Sequence, residues 1–347
     1  MSNRKVAVAM SGGVDSSLAA ALLKESGYDV IGIHLKLWAD PSYRDNYSIL
    51  EQTCKSLNIP LQELNLETEF QSLVINYFCR EYSLGRTPNP CPVCNKYIKF
   101  GLLLDKILKM DAGYLATGHY ARVKPFPDGY RLLKATDKTK DQSYFLYALG
   151  QSELQHLLMP LGTFSKEEVR NLAAERGLPD SNRRESHDLC FIPDGDYRSF
   201  LARHIPIRPG DIIDTGGRIL GRHNGLTHYT VGQRQGLGLS SGERRYVLRL
   251  NATSNQLIVG SRDQLSGRRL IASKLSWVSG KLPQNLSDIT ARIRYQSPEA
   301  PAKLSLDTET AEVEFYEPQQ ALAPGQAIVF YQGDTVLGGG IIEKRLD

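Results

Sequence analysis

A glycine pair between an apolar run and an amphipathic run constrains the fold more than any other feature of this sequence. The apolar run Lys5–Met10 predicts a buried strand, and the stretch at 15–26 predicts an amphipathic helix. Between them stand Gly12 and Gly13, which allow the backbone to turn tightly and to approach a ligand closely. A strand, a glycine turn and a helix in this order predict the start of a βαβ unit.

The same alternation continues along the chain. Apolar runs at 29–37 and 59–66 are followed by an amphipathic stretch at 69–84. We expect a further helix at 95–110 and a further buried strand at 114–123. The pattern predicts an α/β fold, with a doubly wound parallel sheet that binds ligands at the carboxyl ends of its strands.

Two signals predict where individual helices begin. Asn95 precedes the periodic stretch at 95–110 and is expected to cap that helix. Ser165 is followed three positions later by Glu168, which is the capping-box pattern of a second helix start.

The composition changes after residue 200. Residues 201–250 contain eight arginines, no lysine and three acidic residues, together with many glycines. This predicts a small, basic, loop-rich module, unless the arginines only form a solvated surface. From about residue 264 the apolar residues alternate with polar ones, as at 302–306 and 311–315, which predicts an antiparallel sandwich or barrel. We therefore expect domains at 1–203, 204–263 and 264–347.

Composition excludes several classes of protein. With 347 residues, of which 41% are hydrophobic and 23% charged, the chain has enough apolar material for several packed domains. Its net charge of +4 is too small to indicate nucleic-acid binding by itself. No apolar run approaches the ~20 residues needed to cross a bilayer, and the first run is too short for an export signal. Five cysteines, an odd number, fit reduced thiols in the cytoplasm.

The glycine turn has the features of a phosphate-binding loop. The N–H groups that open the following helix favour an anion. The loop lacks the lysine of a Walker sequence and the third glycine of a dinucleotide-binding loop. It suits an enzyme that binds the pyrophosphate of ATP while a substrate attacks the α phosphate and accepts AMP, with Asp15 available for Mg²⁺. The alternative is an ordinary glycine turn before a helix.

Three cysteines are candidates for chemistry. Cys91 and Cys94 precede a predicted helix, where we expect at least one of the two to have a lowered thiol pKa, and Cys190 lies about a hundred residues further along. The residues leave three interpretations open. These are a persulfide relay, an iron–sulfur cluster on the three thiolates, and a zinc site that also uses His187. Cys54 and Cys79 lie in helical patterns and are expected in the core.

The segment Ser11–Ser16 resembles the pyrophosphatase loop of the ATP-pyrophosphatase superfamily. A larger set of segments resembles the bacterial tRNA-specific 2-thiouridylase family (MnmA) over essentially the full length of the chain. These segments are Gly85-Arg86-Thr87-Pro88-Asn89-Pro90, Cys94-Asn95-Lys96, Ile98-Lys99-Phe100, Ala116-Thr117-Gly118-His119-Tyr120, Lys140-Asp141-Gln142-Ser143-Tyr144-Phe145, Gly232-Gln233-Arg234 and Leu337-Gly338-Gly339-Gly340-Ile341.

This resemblance implies a reaction. ATP adenylates the C2 carbonyl oxygen of uridine 34, the wobble base of the tRNAs for lysine, glutamate and glutamine, and sulfur then replaces that oxygen. It implies a sulfur donor, either a persulfide relay protein or a cysteine desulfurase, and a base that leaves the anticodon stack. It also implies an ATP-pyrophosphatase domain, a small central domain and a C-terminal antiparallel β-barrel.

The resemblance also implies roles for individual residues. Cys190 matches the cysteine that accepts a persulfide, and Cys94 matches its partner, which releases the sulfur or ends in a disulfide with Cys190. The positions that match ATP contacts are Ala9, Met10, Ser11, Gly12, Gly13, Val14, Asp15, Ser16, Leu35 and Gly118. The positions that match tRNA contacts are Asn89, Pro90, Cys91, His119, Lys140, Asp141, Gln142, Arg294, Tyr295 and Gln326.

One position departs from the family. Its best-known members carry aspartate where this chain has Cys91. A third thiol keeps a [4Fe-4S] cluster on Cys91, Cys94 and Cys190 open beside the persulfide relay. Two rival functions also remain: a small-molecule adenylating ligase of the argininosuccinate synthase type, which needs neither Cys94 nor Cys190, and a non-catalytic RNA-binding module, which needs no phosphate loop.

Overall fold

A parallel sheet organises the N-terminal part of the computed structural model, which describes residues 4–38, 47–178, 189–192, 194–239 and 244–347. The strands of this part are β1 (Lys5–Met10), β2 (Asp29–Lys36), β3 (Leu61–Asn65), β4 (Tyr114–Ala116), β5 (Ala121–Phe126), β6 (Gly129–Lys134) and β7 (Leu157–Leu158). Five of them pair in the order β3-β2-β1-β4-β7, all parallel. Strand order reverses between β1 and β4, so a ligand crevice is expected at their carboxyl ends. The predicted α/β class is confirmed.

Helices cover this sheet and continue into the next domain. They are α1 (Val14–Glu25), α2 (Tyr47–Ser56), α3 (Glu67–Phe70), α4 (Asn76–Ser83), α5 (Pro90–Val93), α6 (Leu104–Leu108), α7 (Gln151–Leu154), α8 (Lys166–Glu175) and α9 (Tyr197–His204). Two π-helical segments, Gln71–Ile75 and Cys94–Leu103, join α3 to α4 and α5 to α6. Short 3-10 turns lie at Ser143–Leu146, Leu226–His228 and Asp263–Leu265. Among the described residues, no helix has both the length and the apolar character of a membrane span.

The helix expected at 95–110 begins earlier than predicted, and its cap is a different asparagine. The Oδ1 atom of Asn89 accepts a hydrogen bond of 3.1 Å from the backbone N–H of Cys91, and Pro90 occupies the first helical position. Proline is favoured there because its missing N–H has no helical partner to lose. Asn95 is buried inside the helix, where its Nδ2 donates to the carbonyl oxygen of Phe145 at 3.1 Å. Both cysteines of the pair therefore belong to the helix.

The strand expected at 114–123 is interrupted. It ends at Ala116, and the chain then turns through Gly118 before β5 begins at Ala121. Gly118 lies against the backbone of Asp15 and Ser16, which leaves no space for a side chain. Strand β5 pairs with β6 as a hairpin and leaves the parallel sheet. Close packing against the glycine loop, which the apolar pattern does not record, separates the two strands.

The capping box at the start of α8 is present as predicted. The Oγ atom of Ser165 accepts from the N–H of Glu168 at 3.2 Å, and the Glu168 carboxylate accepts from the N–H of Ser165 at 2.6 Å. This cap fixes the first turn of α8, where Lys166 is buried. The position of Lys166 matters for the phosphate loop, as described below.

The central part is a small sheet with its own apolar core. Its strands are β8 (Gly210–Ile213), β9 (Ile219–His223), β10 (Tyr246–Asn251) and β11 (Gln256–Gly260), in the order β10-β11-β8-β9. Ile212, Val247 and Leu257 are fully buried in its core. The predicted small central module is thus a folded unit with long connections.

The C-terminal strands form a closed antiparallel barrel. They are β12 (Ser266–Trp277), β13 (Ile289–Arg292), β14 (Ala300–Leu306), β15 (Thr310–Gln320), β16 (Ala327–Gln332) and β17 (Thr335–Arg345). The order is β12-β15-β14-β13-β16-β17, and β12 also pairs with β17, which closes the ring. Of the two architectures predicted, the barrel is the one found, and the β5–β6 hairpin extends it through β17.

The barrel and the N-terminal domain share one hydrophobic core. Val329, Tyr331 and Ile341 of the barrel belong to the same buried cluster as Phe78 and Tyr144 of the N-terminal domain. The Tyr144 hydroxyl donates to the carbonyl oxygen of Ala327 at 2.8 Å. Because apolar burial is the main stabilising contribution to a fold, the two parts are expected to behave as one structural unit.

Candidate active site

A cavity of about 400 Å³ opens where β1 and β4 end. One wall is the phosphate loop, a second is the helix that carries the cysteine pair, and a third is the short described segment around Cys190. Apolar side chains such as Leu35 and Val74 line the rest. Segments far apart in the sequence therefore meet at the crevice that the strand order predicts.

The phosphate loop is held by its own hydroxyl groups. Gly12 has a φ of +78°, a conformation that favours glycine, and the extended Gly13 stands immediately before α1. The Oγ atom of Ser16 accepts from the N–H of Ser11 at 3.2 Å and donates to the carbonyl oxygen of Gly13 at 3.0 Å. The loop is thereby fixed around the amino terminus of a twelve-residue helix, where the helix dipole favours an anion.

Eight loop positions were predicted to contact ATP, and five of them line the cavity. These five are Ala9, Met10, Ser11, Asp15 and Ser16. Leu35 and Gly118, the two positions predicted to flank the adenosine, line it as well. The other three are not lining residues: Gly12 and Gly13 shape the turn, and Val14 packs into the core with Leu18.

A lysine from another element stands at the phosphate loop. The Lys166 ammonium lies 2.7 and 2.8 Å from the two carboxylate oxygens of Asp15, and the Tyr120 hydroxyl donates to Asp15 at 2.7 Å. The loop sequence lacks a lysine, but the fold supplies one from the first turn of α8. A magnesium ion bound at Asp15 would have to share the carboxylate with this ammonium group. The sequence signal that marked Lys166 was its place directly after the capping serine.

The three candidate thiols line the same cavity. Cys91 is half-buried and Cys94 is buried, both on the helix that begins at Pro90, while Cys190 is exposed to solvent. Aromatic packing anchors Cys190, because the neighbouring Phe191 ring contacts Phe78 edge-to-face with centroids 5.4 Å apart. The structure therefore brings the cysteine pair and the distant cysteine to one place, beside the phosphate loop.

The expected lowering of the thiol pKa is wrong. Burial raises the pKa of Cys94 to about 12 and that of Cys91 to about 11. Cys190 is accessible to solvent but stands between the cavity walls, and its lost hydration also raises its pKa. The helix start was expected to stabilise thiolates, yet the cost of removing the charged form from water is larger here.

Lys99 opposes this effect, and residue patterns had not assigned it a role. Its positive charge lowers the pKa of Cys91, Cys94 and Cys190. Among the described residues that line the cavity, Lys99 is the one lysine or arginine. It follows Cys91 and Cys94 by eight and five residues, and the 3.6-residue period does not place these three positions on one face. The π-helical segment Cys94–Leu103, which no sequence pattern predicted, carries Lys99.

His119 is an uncharged hydrogen-bonding group in this cavity. Burial and the nearby Lys99 lower the pKa of His119 to about 3, so the ring is neutral at physiological pH. Its Nδ1 atom lies 2.8 Å from the Thr117 hydroxyl. A neutral imidazole can donate or accept one hydrogen bond at its other nitrogen.

The thiols as placed do not form a metal-binding set. Among the described residues, no three histidine, cysteine, aspartate or glutamate side chains are gathered closely enough to hold one metal ion. The fourth ligand of the alternative zinc site, His187, lies outside the described residues.

Four of the predicted tRNA contacts line the cavity, namely Pro90, Cys91, His119 and Gln142. Asn89 stands beside them as the helix cap. Tyr295 is nearby, since its ring packs on Phe145, a lining residue, with centroids 4.3 Å apart. These positions fit contact with a base that enters the cavity.

The remaining predicted tRNA contacts are engaged with protein. Gln326 donates from Nε2 to the carbonyl oxygen of Thr87 at 2.7 Å, and Arg294 donates to the carbonyl oxygen of Ala321 at 2.5 Å. Lys140 is half-buried on the loop before Gln142. The Asp141 carboxylate is buried, so its side chain cannot contact a ligand directly in this arrangement.

Three family models cover the chain. They are described as the tRNA methyl transferase HUP domain at residues 4–194, the tRNA methyl transferase PRC-barrel domain at 198–261 and the aminomethyltransferase beta-barrel domain at 267–342. The HUP-domain match, over more than half of the chain, supports ATP binding.

Full-length relatives decide the family. A tRNA-specific 2-thiouridylase MnmA from Roseiflexus castenholzii is 46% identical over 98% of this chain and 99% of its own length. Proteins of the same name from Lachnoclostridium phytofermentans and Dehalococcoides mccartyi are 44% and 47% identical, over 98% and 99% of this chain and 100% and 98% of their own. The chain belongs to the tRNA-specific 2-thiouridylase family. The descriptions of the family models mention methyl transfer, but these three full-length relatives are named as tRNA-specific 2-thiouridylases.

Solved structures show a weaker likeness than these family members. A U34-tRNA thiolase, NcsA from Methanococcus maripaludis with its [4Fe-4S] cluster, aligns with a TM-score of 0.34 and 21% identity over 58% of this chain and 66% of that one. A likeness at this TM-score supports no conclusion about this 2-thiouridylase family member.

Replacement of Gly118 by alanine should weaken ATP binding. The new Cβ would lie 2.8 Å from backbone atoms of Asp15 and Ser16, so the phosphate loop has to shift. We expect the dissociation constant for ATP, measured by calorimetry, to rise about tenfold or more. Gly216→Ala is the control, because its Cβ would meet only the Asp214 side chain at 3.3 Å. Unchanged ATP affinity in Gly118→Ala would contradict the role of this close approach.

The raised thiol pKa should be visible in the reactivity of Cys190. Since only the thiolate is alkylated, the rate of Cys190 with iodoacetamide should still be rising steeply above about pH 9, where a free thiol with a pKa of ~8.5 is already levelling off. Lys99→Gln should slow the reaction further at each pH, because it removes the charge that lowers this pKa. Lys96→Gln is the matched control, since Lys96 is exposed on the same helix. A rate that follows the pH profile of a free thiol, or that levels off at a lower pH, would contradict the raised pKa.

Proposed function

We propose that this chain is an ATP-dependent tRNA sulfurtransferase that converts uridine 34 of the tRNAs for lysine, glutamate and glutamine to 2-thiouridine. The observation that carries the proposal is the shared cavity, which a phosphate loop and three thiols line together. Adenylation needs the loop, and sulfur transfer needs the thiols. A base that is turned out of the anticodon loop can reach both only if they face the same space.

The first step is activation of a poor leaving group. The C2 carbonyl oxygen of uridine attacks the α phosphate of ATP, an oxygen–phosphorus bond forms, and pyrophosphate leaves. The loop from Ser11 to Ser16 binds the pyrophosphate at the helix amino terminus. The Lys166 ammonium next to Asp15 adds positive charge on the same side. Mg²⁺, bound with ATP, would share the Asp15 carboxylate and offset phosphate charge.

The second step replaces oxygen by sulfur. The terminal sulfur of a Cys190 persulfide attacks C2, and AMP leaves with the former carbonyl oxygen. The Cys94 thiolate attacks the Sγ atom of Cys190 and breaks the sulfur–sulfur bond, so the terminal sulfur stays on the base. A Cys94–Cys190 disulfide remains, and a cellular thiol reductant must open it before the next turnover. Lys99 offsets the negative charge of the sulfur atoms during this step.

The placement of the cysteines fits these separate roles. Cys190 is exposed, so a donor protein, either a persulfide relay protein or a cysteine desulfurase, can load it with sulfur. Cys94 is buried, so its thiol is shielded from reaction until Cys190 approaches. Pro90, His119 and Gln142 then contact the target base within the cavity walls.

The two rival functions explain less of the cavity. A small-molecule adenylating ligase uses the phosphate loop but gives no role to three thiols beside it. A non-catalytic RNA-binding module uses the basic central part and the barrel but gives no role to the loop. Thiolation gives a role to both the phosphate loop and the thiols.

An iron–sulfur cluster is the alternative sulfur carrier. Three thiols on one cavity favour it, and Cys91, which stands where familiar family members have aspartate, supplies the third. Both hypotheses end in sulfur transfer to tRNA, and they differ in whether Cys91 and iron are required.

Removal of either catalytic thiol should abolish thiolation. We expect Cys190→Ser and Cys94→Ser to form no 2-thiouridine from tRNA, ATP and a persulfide donor, as measured by mass spectrometry of digested tRNA, while ATP binding is retained. Cys79→Ser is the matched control, because Cys79 is a half-buried core thiol that does not line the cavity. Wild-type protein that releases pyrophosphate without tRNA would instead indicate a small-molecule ligase.

Cys91→Asp should distinguish the relay from the cluster. If the relay operates, this variant keeps activity within about threefold of the wild type, since Cys94 and Cys190 remain. If a cluster operates, the anaerobically purified wild type contains iron and sulfide, and the variant loses both together with activity. Iron and sulfide analysis of the two proteins, alongside the thiolation assay, separates the two outcomes.

A further inference from the structure

An arginine of the barrel reaches the catalytic domain beside the candidate active site. Arg292 stands at the end of β13, and its Nη1 atom donates to an Asp141 carboxylate oxygen at 3.3 Å. Its Nη2 atom donates to Glu299 at 3.1 Å, and the guanidinium lies over the Tyr331 ring, 5.5 Å from its centroid. Packing of the planar guanidinium against the Tyr331 ring and hydrogen bonds to the two carboxylates fix this side chain in one orientation.

Asp141 transfers this restraint to the loop that carries it. One of its carboxylate oxygens accepts from the N–H groups of Ala135 and Ser143, at 3.0 and 3.2 Å. The other accepts from the Ser143 hydroxyl at 2.9 Å and from Arg292. The carboxylate is buried, and a buried charge is tolerated only when it is paired and fully hydrogen-bonded.

The next residue, Gln142, forms part of the cavity wall. Its N–H donates to the carbonyl oxygen of Tyr120 at 2.8 Å, and its Oε1 accepts from the N–H of Tyr120 at 3.0 Å. Its carbonyl oxygen accepts from the N–H of Phe145, another lining residue, at 3.0 Å. Gln142 is therefore held between the buried Asp141 and the turn that follows β4.

We propose that Arg292 is a positioning residue, which holds Gln142 in place in the cavity through the buried Asp141 carboxylate. This inference rests on the proposed function, because it assigns Gln142 to the wall that orients the target base. The barrel thereby contributes to the geometry of catalysis from a residue that does not touch the substrate. Displacement of a positioning group by about 1 Å can reduce a rate strongly while distant binding contacts persist.

Loss of Arg292 should affect turnover and not ATP binding. Arg292→Met leaves Asp141 as a buried charge without its cationic partner, so the loop around Gln142 has to relax. We expect the kcat for thiolation at saturating tRNA to fall about tenfold or more, with the KM for ATP within about twofold of the wild type. Arg292→Lys, which keeps one charged donor, should restore part of the rate. Arg269→Met is the matched control, because this barrel arginine pairs with Glu312 at the surface.

Two measurements separate positioning from general stability. If Arg292 acts through Gln142, the double variant Arg292→Met/Gln142→Ala should be no slower than the slower single variant. If the rate losses of the two single variants multiply in the double variant, the inference is overturned. Hydrogen exchange provides a readout without activity: in Arg292→Met the amides of residues 142–145 should exchange faster, and in Arg269→Met they should not. Unchanged exchange there overturns the inference, whereas absent thiolation by the wild type overturns the proposed function alone.

Discussion

The close approach of Gly118 to the backbone of Asp15 and Ser16 is the contact on which the site depends. It packs the turn after β4 against the phosphate loop after β1, at the point where strand order reverses. The chain has to leave the parallel sheet there, and the hairpin that follows joins the barrel instead. One short contact therefore shapes the nucleotide crevice and also directs the next segment toward the C-terminal domain.

Burial governs the electrostatics of the cavity. It raises the pKa of the thiols, keeps His119 uncharged and leaves Lys99 as the nearby positive charge. Such a site keeps the thiols protonated before substrate binds. It favours the thiolate form only when a nearby positive charge or a substrate compensates the negative charge. Protonated thiols are less prone to unwanted oxidation, which would suit the proposed persulfide relay.

Much of the fold could be predicted from the sequence, because hydrophobic periodicity and glycine positions record local structure. The parallel sheet, the capping box of α8 and the antiparallel barrel were predicted correctly. One error was local, because the Asn89–Pro90 pair is itself a helix-start signal and Asn95 was predicted as the cap instead. The other arose from a tertiary contact, because the strand expected at 114–123 breaks against the phosphate loop. For the site, motifs indicated the loop and the three thiols, but the raised thiol pKa and the contribution of Lys166 depend on distances that no local pattern contains.

The core that Tyr331, Val329 and Ile341 share with the N-terminal domain has a consequence for the history of the gene. A transcript that ended before the barrel would encode a protein with a broad apolar face open to water, and such a face promotes aggregation. Recombination could not exchange this barrel for an unrelated one without refitting that face. The N-terminal domain and the barrel are thus expected to be inherited together as one reading frame.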